Sequence, residues 1–169
     1  MIKKLRKRFI RIAMISVASV MILLCLTVNI ANFVSVDSEL TEMLNLISDN
    51  QGKIPPAHRD DRPIGDRGGQ FTQETPYTTR YFALFYSDDG TLARADLENI
   101  AAVTEDDTQK YLDIALKHGE GYGYTRGYKY LVVNNGENRR MAIFLDSHSE
   151  MHSVATIIVI SIVAAVFCT

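Results

Sequence analysis

The chain has 169 residues, 47% of them hydrophobic and 22% charged, with a formal net charge of −2. Its charge is sharply partitioned: the cations Lys3, Lys4, Arg6, Lys7, Arg8 and Arg11 precede Asp37 with no acid among them, all 20 acidic residues lie between Asp37 and Glu150 against 12 basic ones, and no charge follows Glu150. An anionic centre with apolar ends excludes nucleic-acid binding, which needs a basic face, and two cysteines placed inside apolar runs, Cys25 and Cys168, exclude a disulfide framework and a thiolate metal site.

Residues 1–11 read as a basic cytoplasmic tail. Ile12 to Ala31 is a run of 20 residues without a charge, with Asn29 its only strongly polar side chain. At 1.5 Å per residue such a run crosses a hydrocarbon core of about 30 Å. Residues 12–36 are therefore assigned as a transmembrane helix. The flanking Lys/Arg cluster holds the N-terminus in the cytoplasm and sends the following residues outward. A cleaved signal peptide fits less well, because its apolar region is shorter and no clear A-x-A site follows. Lipidation at Cys25 also fits poorly, since Leu24 stands where a small residue is expected.

Residues 37–150 form the exported domain, large enough to fold on its own core. Its first part is helical: Leu40, Met43, Leu44 and Ile47 make one apolar stripe. No Pro or Gly separates this stretch from the span, so one continuous rod is possible. Residues 51–76 hold all four prolines and four glycines and read as a flexible loop, either a variable surface loop or a ligand lid. Residues 80–87 and 91–96 then read as a hairpin around Asp88-Asp89-Gly90.

Thr104 and Asp107 resemble a capping box, with Glu105, Asp106 and Asp107 favouring the N-terminal turn of a helix. Tyr111, Ile114 and Ala115 are its expected core face, and Gly119 its C′ residue. Short strands follow at 121–125, 128–133 and 139–145, joined by turns at Arg126-Gly127 and Asn135-Gly136. Ser147 is expected to cap a last helix, which runs into the apolar stretch Val154 to Cys168. Residues 151–169 read as a second transmembrane helix cut short, and the whole as part of a longer protein. The fold class is thus α+β: a transmembrane helix, an antiparallel sheet with helices on one side in the order α-β-β-α-β-β-β, and the start of a second span.

That order resembles a PAS/Cache-like extracytoplasmic sensor. The residues that carry the likeness are Asp89 and Gly90 in the first turn, Ile100, Ala101, Val103, Thr104, Glu105 and Asp106 at the helix start, Gly121 and Tyr122 in a strand, and Phe144, Leu145 and Asp146 before the final helix. With the basic tail and paired spans, the chain is similar to the N-terminal half of a bacterial two-component sensor histidine kinase of the Firmicutes type. The resemblance implies a homodimer in the cell membrane. It also implies an unknown extracellular ligand, and a cytoplasmic kinase domain and response regulator as partners. The family's phosphoacceptor and ATP-binding motifs are absent from these residues, so any kinase activity lies elsewhere. The alternative is a membrane-anchored binding or assembly protein without a kinase.

No catalytic constellation emerges, and no cofactor, metal or ligand-binding residue is assigned. His148 and His152 stand four apart on a helix, with Glu150 off their face, a spacing that can chelate a metal or sense pH; interfacial packing is the plainer reading. His58 and His118 are isolated. Gly119, Gly121, Gly123 and Gly127 lack the phosphate-loop pattern and read as cap and turn residues. The acidic pairs Asp88-Asp89 and Asp106-Asp107 are explained by a turn and a helix start. Tyr81, Tyr86, Tyr111, Tyr122, Tyr124, Tyr128 and Tyr130 either fill the core or line a pocket. Arg80, Arg94 and Arg126 are solvated or face an anionic ligand.

Overall fold

A computed structural model describes residues 2–55, 78–134 and 140–168. His58, most of the loop at 51–76 and the Asn135-Gly136 turn lie outside the described residues. Among the described residues the fold is α+β, with three helices and a five-stranded antiparallel sheet. The elements are α1 (Ile2–Asp49), β1 (Tyr81–Tyr86), β2 (Leu92–Asp96), α2 (Glu105–Lys117), β3 (Gly121–Thr125), β4 (Tyr128–Asn134), β5 (Arg140–Asp146) and α3 (His148–Cys168). Their order is the one the sequence predicts. The chain divides into two compact units, Met1–Ser38 with Ser149–Thr169, and Glu39–His148.

In the first unit, the apolar part of α1 is exposed on nearly every side, from Phe9 through Val34. A helix that is apolar all round and unburied suits lipid rather than water. It is long and apolar enough to cross a membrane. Ala18, Met21, Cys25, Asn29 and Asn32 are less exposed than their neighbours, and their spacing of three and four marks the stripe turned towards α3. There the Cys25 thiol donates to the Ser161 carbonyl at 3.8 Å. Asn29 donates to the Cys25 carbonyl at 2.7 Å. The apolar part of α3, within His148–Ala164, is shorter.

In the second unit the sheet order is β2-β1-β5-β4-β3. Strand side chains alternate between faces. Phe82, Leu84, Tyr128, Tyr130, Val132, Ala142 and Phe144 form one face and pack with Val103, Leu112 and Ala115 of the α2 region. Phe82 stacks on Phe144 at 4.7 Å between ring centroids, with Tyr128 edge-on to Phe82 at 5.4 Å. The opposite face carries Tyr81, Ala83, Met141, Ile143, Leu145 and Leu131, and these are buried as well. The last turns of α1 cover it, through Leu40, Leu44 and Ile47. Helices therefore pack on both faces, and the expected one-sided packing is corrected. The sign of this in the sequence is the unbroken apolar runs YFALFY of β1 and MAIFL of β5, which two buried faces require.

Three local readings are also corrected. In α2 the residues turned fully inward are Thr108, Leu112 and Ala115; Tyr111 packs at the cluster's margin and Ile114 is outside it. The Thr104 side chain makes no capping bond to the backbone and donates instead to Asp107 Oδ2 at 3.1 Å. Ser147 does not cap α3 with its hydroxyl. That hydroxyl donates to the Gly127 carbonyl at 3.0 Å, while Asp146 Oδ1 accepts from the His148 N–H at 3.0 Å. Gly119 follows α2 at φ +81°, as a C′ residue does.

Three backbone positions set the frame. Arg126 and Gly127, at φ +47° and +87°, link β3 to β4 by a two-residue loop. Positive φ at both positions matches the twist of the flanking strands. At the end of α1, Gly52 (φ +85°) donates its N–H to the Ile47 carbonyl at 2.8 Å and closes the helix. A Cβ there would lie 3.0 Å from the Phe85 ring and 3.2 Å from Ala83, so the chain end sits directly on β1.

Candidate functional site

The most structured polar feature of the second unit is the seam between α1 and the β3–β4 hairpin. The register pairs Tyr122 with Leu131 and Tyr124 with Lys129. This puts Tyr122, Tyr124 and Lys129 on the face that α1 covers. Lys129 is only 2% exposed. Its Nζ donates to Thr41 Oγ1 at 2.6 Å and lies 5.9 and 5.4 Å from the ring centroids of Tyr122 and Tyr124. Burying an ammonium is costly unless its donors and charge are met. Thr41 Oγ1 and two π faces are among the groups that meet it here. The Tyr122 hydroxyl donates to Asn45 Oδ1 at 2.6 Å. Thr41 and Asn45 are four apart on α1, and so project from the same side of it.

Beside this seam, the Tyr81 hydroxyl accepts from the Ile54 N–H at 3.2 Å, tying the residues after α1 to the start of β1. Burial pushes the Tyr81 hydroxyl above the usual phenol range. Burial does the same for Tyr86 and Tyr128. These three phenols therefore stay neutral at physiological pH and serve as packing and hydrogen-bonding groups.

The tyrosines divide between the two readings the sequence left open. Tyr81, Tyr128 and Tyr130 are buried in the cores of the two faces, and Tyr111 and Tyr86 flank them. Tyr122 and Tyr124 are 50% and 44% exposed. The arginines do not converge on one point. Arg94, on the edge strand β2, stacks over Phe85 at 4.3 Å. Arg126, at the opposite edge, lies 5.8 Å from the Tyr111 centroid.

The acidic pairs act locally. Asp89 Oδ1 accepts from the Thr91 N–H at 3.0 Å and from its hydroxyl at 2.6 Å, which lowers its pKa. Asp88 pairs with Arg140. Asp107 is lowered by Lys110, 3.0 Å away, and by Thr104. His148 and His152 are both exposed, and Glu150 is less so. Among the described residues no group of three His, Cys, Asp or Glu is placed to hold a metal. Two buried acceptors of the first unit, Asn29 Oδ1 and Glu150 Oε2, have no hydrogen-bond partner among the described residues.

Sequence reasoning missed Lys129, Thr41 and Asn45. The available signal was a lysine inside YKYLVV, a run otherwise suited to a buried strand. No family model, curated protein or solved structure matches this chain.

Proposed function

We propose that residues 37–150 are the extracytoplasmic input module of a membrane sensor histidine kinase, PAS/Cache-like in fold. In this reading α1 crosses the cell membrane with its N-terminus in the cytoplasm, and α3 begins a second span. The module works as a homodimer and relays an external signal to a cytoplasmic kinase domain and its response regulator. The observation that supports the reading best is connectivity. α1 runs without a break from Ile2 to Asp49, from the exposed apolar segment to turns that cover the sheet. At the other end only Ser147 separates β5 from α3. A helix without a flexible joint transmits displacement, which suits a relay better than a tether.

Two measurements test it. A cysteine at the exposed position Glu98, in a background with Cys25 and Cys168 replaced by serine, should react with a membrane-impermeant maleimide in intact cells. A cysteine at Lys7 should react only after lysis. Labelling of the Lys7 site from outside would overturn the orientation. The reading frame beyond Thr169 should encode a phosphoacceptor helix and an ATP-binding domain, and the complete protein should autophosphorylate on histidine. A frame without them would leave the anchored binding or assembly role.

A further inference from the structure

The order β2-β1-β5-β4-β3 leaves β2 and β3 outermost in the sheet among the described residues, and the two are built differently. An open strand edge invites pairing with another chain, and proteins usually blunt it with charge or a bulge. β2 has both. Its register slips between Phe85 and Tyr86, which leaves Ala93 out of the ladder, and Arg94 stands exposed on it. β3 pairs with β4 without a slip and carries no charge. Tyr122 and Tyr124 are also the large apolar side chains that the sheet domain leaves exposed among the described residues.

The ladder fixes what this edge offers. The Ser147 N–H bonds the Gly127 carbonyl, so Gly127 and every second residue after it face β5, and those between bond β3. Their partners Gly121, Gly123 and Thr125 are thereby turned to β4. Tyr122 points its N–H and carbonyl the other way, and its ring lies on the α1 side. Its hydroxyl is held by Asn45, and the ring is 50% exposed. Glu42 stands three residues before Asn45 and Asp49 four after it, so both carboxylates border this edge. Glu120, exposed, immediately precedes β3. The cations nearby are Lys129, buried beside the two rings, and Arg126, which lies over Tyr111 on the α2 side.

From this uncharged, unbulged edge and its bordering carboxylates we propose that β3 is a docking strand for an extended cationic segment of another polypeptide, with Lys or Arg at every second residue. The segment adds beside β3 as a further strand and bonds the main chain of Tyr122. Its side chains alternate between faces. The cations therefore lie together on the α1 side, against the tyrosine rings and the Glu42 and Asp49 carboxylates. On the other side Gly121 and Gly123 bring no side chain to crowd it. A second copy of this chain fits less well. Thr41 on Lys129 and Ser147 on Gly127 place both ends of the sheet domain beside the β3–β4 turn. Two copies pairing β3 antiparallel about a twofold axis would send these ends in opposite directions, which two chains in one membrane cannot do. That exclusion rests on the membrane reading above. The docking edge belongs to the sheet domain and stands with or without a kinase.

The test uses the full chain in nanodiscs of zwitterionic lipid, which offer a cationic peptide no anionic surface. The probe is the end-blocked, fluorescently labelled peptide Lys-Val-Lys-Val-Lys, with Glu-Val-Glu-Val-Glu as its counterpart. Titration should show the lysine peptide bound and the glutamate peptide not. Amide exchange at Tyr122 should slow when the lysine peptide is present, because that N–H then meets a carbonyl. Glu42→Gln combined with Asp49→Asn should weaken binding roughly fivefold, two exposed ion pairs being lost. Its unfolding midpoint checks that the variant is folded. Failure of the lysine peptide to bind, equal binding of both peptides, or binding that leaves Tyr122 exchange unaltered would overturn the proposal. Slowing of Tyr122 exchange with rising protein concentration and no peptide would assign the edge to a second copy, and would overturn it as well.

Discussion

Gly123 is where the packing of the sheet can be tested most directly. It pairs with Tyr130 across β3 and β4, and a Cβ on it would lie 2.3 Å from both Cζ and Oη of that ring. The ring would have to retreat by about 1 Å to restore ordinary contact. It has nowhere to go. Tyr130 is 3% exposed and tilts against Phe144 at 5.7 Å, and Phe144 is itself stacked on Phe82. Overpacking of this kind costs about 1–3 kcal/mol. The lower entropy of an unfolded chain bearing alanine offsets about 0.4–1 kcal/mol of that. Gly123→Ala should therefore destabilise the sheet domain by about 1–2 kcal/mol, a fall in Tm of roughly 4–10 °C. Thermal and denaturant unfolding of the purified chain in detergent would measure it. The cause is checked by adding Tyr130→Leu, which removes the atoms in conflict. If the reasoning holds, the glycine substitution costs almost nothing in the Tyr130→Leu background, and the coupling exceeds about 1 kcal/mol. A loss below about 0.5 kcal/mol, or strictly additive losses, would refute it.

Ser147→Ala should cost about 0.5–1.5 kcal/mol, at the modest end for a hydrogen bond. The Gly127 carbonyl keeps a partner, because the Ser147 N–H also donates to it at 2.9 Å. Hydrogen exchange in the first turn of α3 should not change, whereas a true cap would let that turn fray. Leu112→Ala, at a position with no exposure, should cost about 2–5 kcal/mol by chemical denaturation. Asp89 and Asp107 have folded pKa values lowered by their hydrogen bonds. The stability each supplies is present above its unfolded pKa and lost as pH falls through the folded one. Unfolding midpoints should thus hold steady from pH 7 to about 5 and decline below about 4. Asp89→Asn should remove part of that decline, and a parallel acid profile for the variant would count against the assignment.

Local chemistry made most of the fold legible. The Asp88-Asp89-Gly90 and Arg126-Gly127 turns, the acidic start of α2 and its glycine stop, and the unbroken helical pattern through Asp37 all act over a few residues. They fixed the element order. What stayed hidden was tertiary. Whether a strand is covered on one face or two depends on where α1 lands, and only the uninterrupted apolar character of YFALFY and MAIFL hinted at it. The Ser147 hydroxyl can either accept from an N–H in the first turn of α3 or donate to a carbonyl. Proximity of the β3–β4 turn, twenty residues away in sequence, decides between them.

The seam between α1 and the sheet shows the same division more sharply. The spacing of Asp37, Thr41, Asn45 and Asp49 is plain in the sequence, yet on its own it reads as the solvated side of an amphipathic helix. Lys129 supplies the missing half, and it comes from a strand 88 residues away. An ammonium at 2% exposure in a sheet face is a poor source of net stability, since an apolar side chain of similar volume usually serves as well or better. Its best-attested use elsewhere is to fix register. At this seam an all-apolar interface between α1 and the sheet would slide with little resistance. The buried Lys129 bond to Thr41 opposes that sliding and fixes where α1 seats on the sheet.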